Sequence, residues 1–272
     1  LSSIGFPAEV VIASTFNLDL AKEFGRSIGR MADEMNVSGW YAPAMDMHRS
    51  AFDGRNFEYY SEDGLLSGLM GAMSVAGAKE YGIYAYVKHF ALNDQQVSQE
   101  AMLCTWSTEQ AIREIYLKPF ELCVKVGENN AMMSSWNYIG NVWTGGCEEL
   151  LTNVLRDEWG FEGMVISDGF HHTGYMNSDQ AIRAGGDIML KNFDVETNHV
   201  KDQESATGIR AMRNACHNIL YTVANSRACD AKRTTGWATW KVVLTIADAA
   251  AVVLVILWEV LAARGYRKRQ GK

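Results

Sequence analysis

The sequence predicts an α/β fold built on a parallel sheet, closed or doubly wound, followed by one membrane-spanning helix. Three observations lead there. Helical and strand-like segments alternate along most of the chain with short connections, the pattern of parallel α/β folds. Polar residues gather just after the strand-like runs, at the edge where such folds build their sites. Near the C-terminus, a long apolar stretch runs into a basic cluster.

Residues 19–37 carry Leu20, Phe24, Ile28, Met31 and Met35 at helical spacing, and the apolar run 40–44 follows as a strand. The alternation returns with a helix over 65–80 and a strand over 83–87. A third helix starts at Ser107, where Gln110 completes a capping-box spacing, and carries Ile112, Ile115, Phe120 and Val124 before a strand over 131–133. A fourth helix over 148–159 stops at Gly160 and leads into a strand over 163–166. A helix over 179–184, a strand over 187–190 and a last helix over 206–224 complete the series. The 272 residues leave room for one barrel of about 250, but the clear strands number five against the eight of a (β/α)₈ barrel, so either several strands carry no clear local signal or the barrel's first part lies upstream.

Composition narrows the function classes. The chain has 25 Lys and Arg against 32 Asp and Glu, a net −7, with 48% hydrophobic residues, which excludes disorder, collagen and a small disulfide scaffold. The last nine residues hold five of the basic groups and no acid, so residues 1–263 balance 20 against 32, a net −12. A nucleic-acid partner is therefore not expected. Cys104, Cys123, Cys147, Cys216 and Cys229 are odd in number and lack CxxC spacing, and read as ordinary, mostly buried thiols.

Over residues 242–263 only Thr245, Asp248 and Glu259 are not apolar, close to the length needed to cross a bilayer core. Trp237 and Trp240 precede this stretch, Trp258 and Tyr266 lie near its far end, and Arg264, Arg267, Lys268 and Arg269 follow, as aromatic belts with a cytoplasmic basic flank require. A buried core helix is the alternative that Asp248 and Glu259 favour, but both lie toward the ends, within snorkelling reach. The expected division is thus a partial barrel over 1–226, a linker over 227–241, a transmembrane helix over 242–263 and a cytoplasmic tail over 264–272. That places a single-pass protein in the cell membrane with its barrel outside. The start, Leu1-Ser2-Ser3-Ile4-Gly5-Phe6-Pro7, shows no secretory signal, and an exported, anchored protein is expected to carry one upstream.

Asp46, His48 and Arg49 follow the first strand; Lys88 and His89 end the second; Ser135, Trp136 and Asn137 follow the third; Ser167 and Asp168 close the fourth. Alone, a His is usually a satisfied core residue and Asp168 a helix cap. Together at one edge, they offer a carboxylate, cations and an aromatic platform, with no metal-ligand spacing, no GxGxxG turn and no GxSxG elbow. Such a set suits a sugar: charged groups grip its hydroxyls, an aromatic face covers its ring, and a carboxylate stands by the anomeric carbon. No cofactor or metal is implied.

Lys88-His89-Phe90-Ala91-Leu92-Asn93, the segment 46–63 with Gly54-Arg55-Asn56-Phe57-Glu58 and Ser61-Glu62-Asp63, Arg156-Asp157-Glu158-Trp159-Gly160-Phe161 and Val165-Ile166-Ser167-Asp168 together resemble the barrel domain of glycoside hydrolase family 3, through about Ser226. The resemblance implies a (β/α)₈ TIM-type barrel and a retaining exo-β-glycosidase of β-glucosidase type acting on oligosaccharides or β-glucosides. Asp168 takes the place of the nucleophile, Arg55, Lys88 and His89 those of the sugar-binding groups, and Trp136 that of the site's aromatic; Asp46 joins them as a substrate-binding group. Gly169 stands where the family usually has Trp, and Gly64 where it has Pro. The likeness is greatest to a permuted, often membrane-anchored branch in which an α/β sandwich precedes the barrel, so that domain and the general acid/base are expected upstream. Two alternatives accompany it. One is a β-N-acetylglucosaminidase of the same family using His171 or His172; the other is a non-catalytic, membrane-tethered sugar binder.

Overall fold

The computed structural model describes residues 4–170, 174–190, 199–229 and 239–271. The chain divides into two compact units, one up to Cys229 and one from Asp230 onward.

The first unit begins with a short helix α1, Glu9–Ala13, and the longer α2, Leu18–Glu34. Asn17 caps α2 by accepting the backbone N–H groups of Asp19 at 3.0 Å and Leu20 at 3.1 Å. The helix buries Phe24 and Ile28 but leaves Leu20 and Met35 in solvent, and it ends three residues before the expected 37. Strand β1, Gly39–Trp40, is shorter than its apolar run, which continues as an extended segment with Ala44 bridging Lys88 and Tyr59. Helix α3, Gly64–Lys79, is capped by Asp63 and leads into β2, Tyr84–Phe90. Helices α2 and α3 pack with their backbones in contact. A Cβ on Gly25 would sit 2.0 Å from the Ser74 carbonyl oxygen, and one on Gly77 2.2 Å from that of Lys22.

A small strand β3, Cys104–Thr105, precedes α4, Glu109–Ala111, whose cap is Thr108 accepting from the Ala111 N–H at 3.2 Å. The expected cap, one residue earlier at Ser107, is thereby corrected. The helix continues through a wider turn at Ile112–Tyr116 into α5, Lys118–Lys125, and then β4, Ala131–Ser134. After β4 comes a hairpin absent from the sequence reading, β5, Tyr138–Ile139, against β6, Val142–Trp143, with β3 pairing β5. A second wide helix, Glu149–Glu158, closes with a Trp159 N–H to Val154 oxygen bond of 3.1 Å and is followed by β7, Met164–Ile166. Helix α6, Ser178–Ala184, and helix α7, Ala206–Ala224, complete the unit. Of the strand expected over 187–190, one bridge remains, Ile188 to Ile166.

The main sheet runs β1-β2-β4-β7 in chain order, every pair parallel, with Tyr86 opposite Ala131 and Ala131 opposite Met164. A doubly wound sheet reverses its order at a switch point; this one does not, so its topology is that of consecutive barrel strands. Among the described residues no pairing joins its two outer edges, and the ring is open there.

The first unit extends beyond the expected 226. Arg227 donates its backbone N–H to the Gly82 carbonyl at 2.9 Å and pairs with Asp33 at 2.7 Å. All five cysteines are free, and only Cys123 and Cys147 are buried, so mostly buried thiols was wrong. The second unit contains α8, Thr239–Gln270, which begins inside the expected linker and carries helix into the expected tail. Its stretch Thr239–Tyr266 is exposed throughout and is long and apolar enough to cross a membrane. Trp237 lies outside the described residues.

Candidate active site

Four parallel strands deliver their carboxyl ends to one edge, and the polar residues follow from that. The ends of β2 and the 43–46 segment are stitched by Lys88 N–H to Pro43 oxygen, 3.0 Å, and Met45 N–H to Lys88 oxygen, 2.6 Å. This sets Asp46 against His89. Asp46, 1% exposed, accepts three N–H groups: the His89 backbone at 3.0 Å and ring Nδ1 at 2.9 Å on Oδ2, and the Asn93 backbone at 3.1 Å on Oδ1. Burial pushes its pKa up to about 8, as it does that of neighbouring Asp94, whose one partner is the Met47 N–H. With three donors against one, Asp46 is the member of the pair that holds the negative charge.

The other ring nitrogen of His89, Nε2, lies 2.9 Å from Arg55 Nη2 and 3.8 Å from Asp168 Oδ2. Arg55 gives its Nε to Glu58 at 2.5 Å, and Lys88 reaches the second Glu58 oxygen at 3.0 Å. Burial alone would raise the Glu58 pKa, but the Arg55 hydrogen bond and the Lys88 charge outweigh it and hold the carboxylate ionised. Burial drives the His89 pKa down to about 3, with the Arg55 and Lys88 charges adding to it and Asp168 opposing. His89 is therefore neutral and is not one of the cations that the sequence cluster offers.

Asp168 follows β7, its side chain 16% exposed and its Oδ1 accepting the Gly169 N–H at 2.6 Å. Trp136 donates Nε1–H to the Gly169 carbonyl at 2.8 Å, so the indole is tied to the segment that carries Asp168. Tyr175 donates its hydroxyl to the Trp136 carbonyl at 3.1 Å, and Tyr138, Trp143, Phe170 and Tyr175 pack together beside it.

Asp46, Arg55, Lys88, His89 and Asp168 thus form one network with Glu58, and Trp136 joins it through Gly169. Other residues from the same sequence clusters do structural work. His48 Nε2 lies within hydrogen-bonding distance of the carbonyls of Asn56 and Tyr59, and Ser135 and Asn137 tie the turn after β4 to the Ala91 carbonyl. Arg49 is exposed. His171 and His172 lie outside the described residues. Glu9 was not foreseen. Sitting in α1, which packs against the 56–58 turn, it is half-buried, and burial, opposed by its own backbone hydrogen bond and reinforced by the Glu58 charge, pushes its pKa up to about 7. Nothing in its local sequence marks it, because the partners that perturb it come from a distant segment.

The chain as a whole is similar to known proteins. The family model described as the glycosyl hydrolase family 3 N-terminal domain matches residues 2–215. The chain belongs to that family. Among curated relatives, β-glucosidase A of Butyrivibrio fibrisolvens is 41% identical over 68% of this chain and 22% of its own length. A β-glucosidase of Rhizobium radiobacter is 37% identical over 70% of this chain and 23% of its own. Among solved structures, β-glucosidase 3B from Thermotoga neapolitana in complex with glycerol superposes with a TM-score of 0.76 at 34% identity, covering 82% of this chain and 32% of that one. The family 3 β-glucosidase of Bifidobacterium adolescentis gives 0.76 at 27% identity over 86% and 34%. The chain thus spans about a fifth of the length of these curated relatives. Membership gives the open sheet its class, a TIM-barrel-like α/β fold.

Proposed function

We propose that this chain contributes the nucleophile and sugar-gripping half of a retaining β-glycosidase of β-glucosidase type. The observation that carries the reading is Asp168 at the end of β7, 3.8 Å from His89 Nε2 and beside an Arg55–Glu58–Lys88 chain of ion pairs. Family membership and the β-glucosidase relatives support the same chemistry.

In this mechanism Asp168 attacks the anomeric carbon, forms a covalent glycosyl ester, and water then releases the sugar with its configuration retained. Arg55, Lys88 and His89 present hydrogen-bonding groups to the sugar hydroxyls, and Trp136 offers a ring face. A retaining enzyme needs a second carboxyl about 5 Å from the first as acid/base. Glu58 is committed to two cations and Asp46 to three N–H groups, so that second group is assigned to another part of the protein, together with the sandwich domain. Helix α8 is assigned as the membrane anchor, with the barrel outside and the basic end in the cytoplasm.

The test uses the intact protein. Asp168→Gly should abolish turnover while sugar binding persists, and azide should restore turnover of a substrate with a good leaving group, giving a product of inverted configuration. Near-normal turnover in that variant, or trapping of a mechanism-based fluorosugar on another residue, overturns the assignment.

A further inference from the structure

The sugar-binding role expected for Asp46 does not fit its surroundings. The carboxyl is 1% exposed and turned inward onto protein N–H donors. We infer that Asp46 is a positioning residue: it holds His89 as the tautomer protonated at Nδ1, leaving Nε2 as an acceptor with Arg55 on it and Asp168 beside it. Its effect on turnover rests on the glycosidase reading above; the tautomer itself does not.

Two partners fix the tautomer together. Arg55 Nη2, 2.9 Å from Nε2, carries only donor hydrogens, so Nε2 must accept. A neutral imidazole that accepts at Nε2 donates at Nδ1, and Nδ1 points at Asp46 Oδ2, 2.9 Å away. The same oxygen takes the His89 backbone N–H at 3.0 Å, which clamps the ring against its own main chain. The opposite tautomer and the imidazolium both place an N–H against the guanidinium, and that contact opposes both.

The consequence falls on Asp168. Its Oδ2 lies 3.8 Å from Nε2, and with a lone pair there the imidazole lends no proton to the nucleophile. The one lone pair of Nε2 is taken by Arg55, so a sugar hydroxyl placed there gives its single proton to Asp168. Reversing the tautomer would aim an N–H at Asp168, drawing charge from the attacking oxygen, and would repel Arg55 from its place.

Asp46→Asn is the perturbation, made in the intact protein in detergent with ¹⁵N-labelled histidine. The amide has one oxygen for three groups: turned to His89 it sets its NH₂ against the Asn93 N–H, and turned to Asn93 it sets its NH₂ against Nδ1 and the His89 N–H. In the unmodified protein the His89 resonances should show the proton on Nδ1 alone, and in the variant a mixture with Nε2; an unmixed Nδ1 form in the variant overturns the role of Asp46 and leaves Arg55 as what fixes the tautomer. Turnover should fall about 10–100-fold, mostly in kcat, the usual cost of losing a group that orients a functional histidine. In a His89→Gln background, Asp46→Asn should then change turnover less than about twofold, because its effect runs through the imidazole. A protonated Nε2 in the unmodified protein overturns the inference, as does a mixed tautomer in the variant with turnover intact or an undiminished cost in the His89→Gln background. If Asp46→Asn fails to fold, the spectrum of the unmodified protein still decides. If the intact protein cleaves no β-glycoside, the glycosidase reading fails while the spectrum continues to test the tautomer.

Discussion

Arg156→Met should unfasten the start of β7, and the structure gives the size of the loss. The guanidinium donates to the carbonyls of Gly163 at 2.9 Å and Gly185 at 2.8 Å and pairs with Asp187 Oδ2 at 2.8 Å. Asp187, its side chain 1% exposed, also accepts the Val165 N–H at 2.7 Å and the Asn218 side chain at 2.9 Å. Removing the cation strands a buried carboxylate, a change worth about 3–5 kcal/mol, while water reaching the freed carbonyls limits their added cost. We expect a loss near 4 kcal/mol at pH 8, or about 1–2 M in the urea midpoint. The loss should depend on pH. Burial already lifts Asp187 to about 6 despite Arg156, and without the cation it rises further, by about 2 units. A carboxyl whose folded pKa is raised penalises the folded state as pH climbs from its unfolded value toward the folded one, and imposes no penalty below both. At about 1.36 kcal/mol per unit, roughly two-thirds of the loss should vanish at pH 4. Asp187→Asn in the same background should recover stability at pH 8. A loss below about 1 kcal/mol, or an equal loss at both pH values, refutes the reasoning.

Glu9→Gln should stabilise the protein by about 2 kcal/mol at pH 8 and leave it unchanged at pH 4, since burial raises the Glu9 pKa to about 7 and its charge costs stability only at higher pH. Urea titrations at the two pH values check this, and no gain at pH 8 counts against the burial argument. Trp136→Phe keeps a ring but removes the hydrogen bond to the Gly169 carbonyl. About 1 kcal/mol of stability and about tenfold in kcat/KM of the intact protein should go with it. Deleting residues 239–272 should move the intact protein from the membrane to the soluble fraction, and an unchanged partition removes α8 as the anchor.

Local signals carried most of the architecture. The apolar spacing of Phe24 and Ile28 and the stop at Gly160 each act within a few residues, and the corresponding helices stand over Leu18–Glu34 and Glu149–Glu158. The β5–β6 hairpin escaped because its strands are only two residues each, below any detectable alternation. The strand over 187–190 shrank to the Ile188 bridge, and the inward Asp187 before it pairs with Arg156, a partner far away in sequence. The site was legible as a set, since consecutive parallel strands bring their ends together whatever lies between. Individual roles were less so. His89 next to Lys88 reads as a second cation, and only the surrounding Arg55 and the depth of burial make it neutral. Asp46 reads as a ligand for sugar because the sequence does not tell which way a carboxylate points.

The contact between α2 and α3 bears on how this protein can evolve. At Gly25 and Gly77 the neighbouring main chain occupies the space a methyl group would need, so even alanine demands that two helices separate. Outer-layer positions far from Asp168 should thus be as invariant in a saturation library as the reactive carboxylate, for a reason unrelated to chemistry. Drift in this layer must proceed around fixed points, with the exposed Leu20 and Met35 on α2 and its C-cap free to vary while their small neighbours stay.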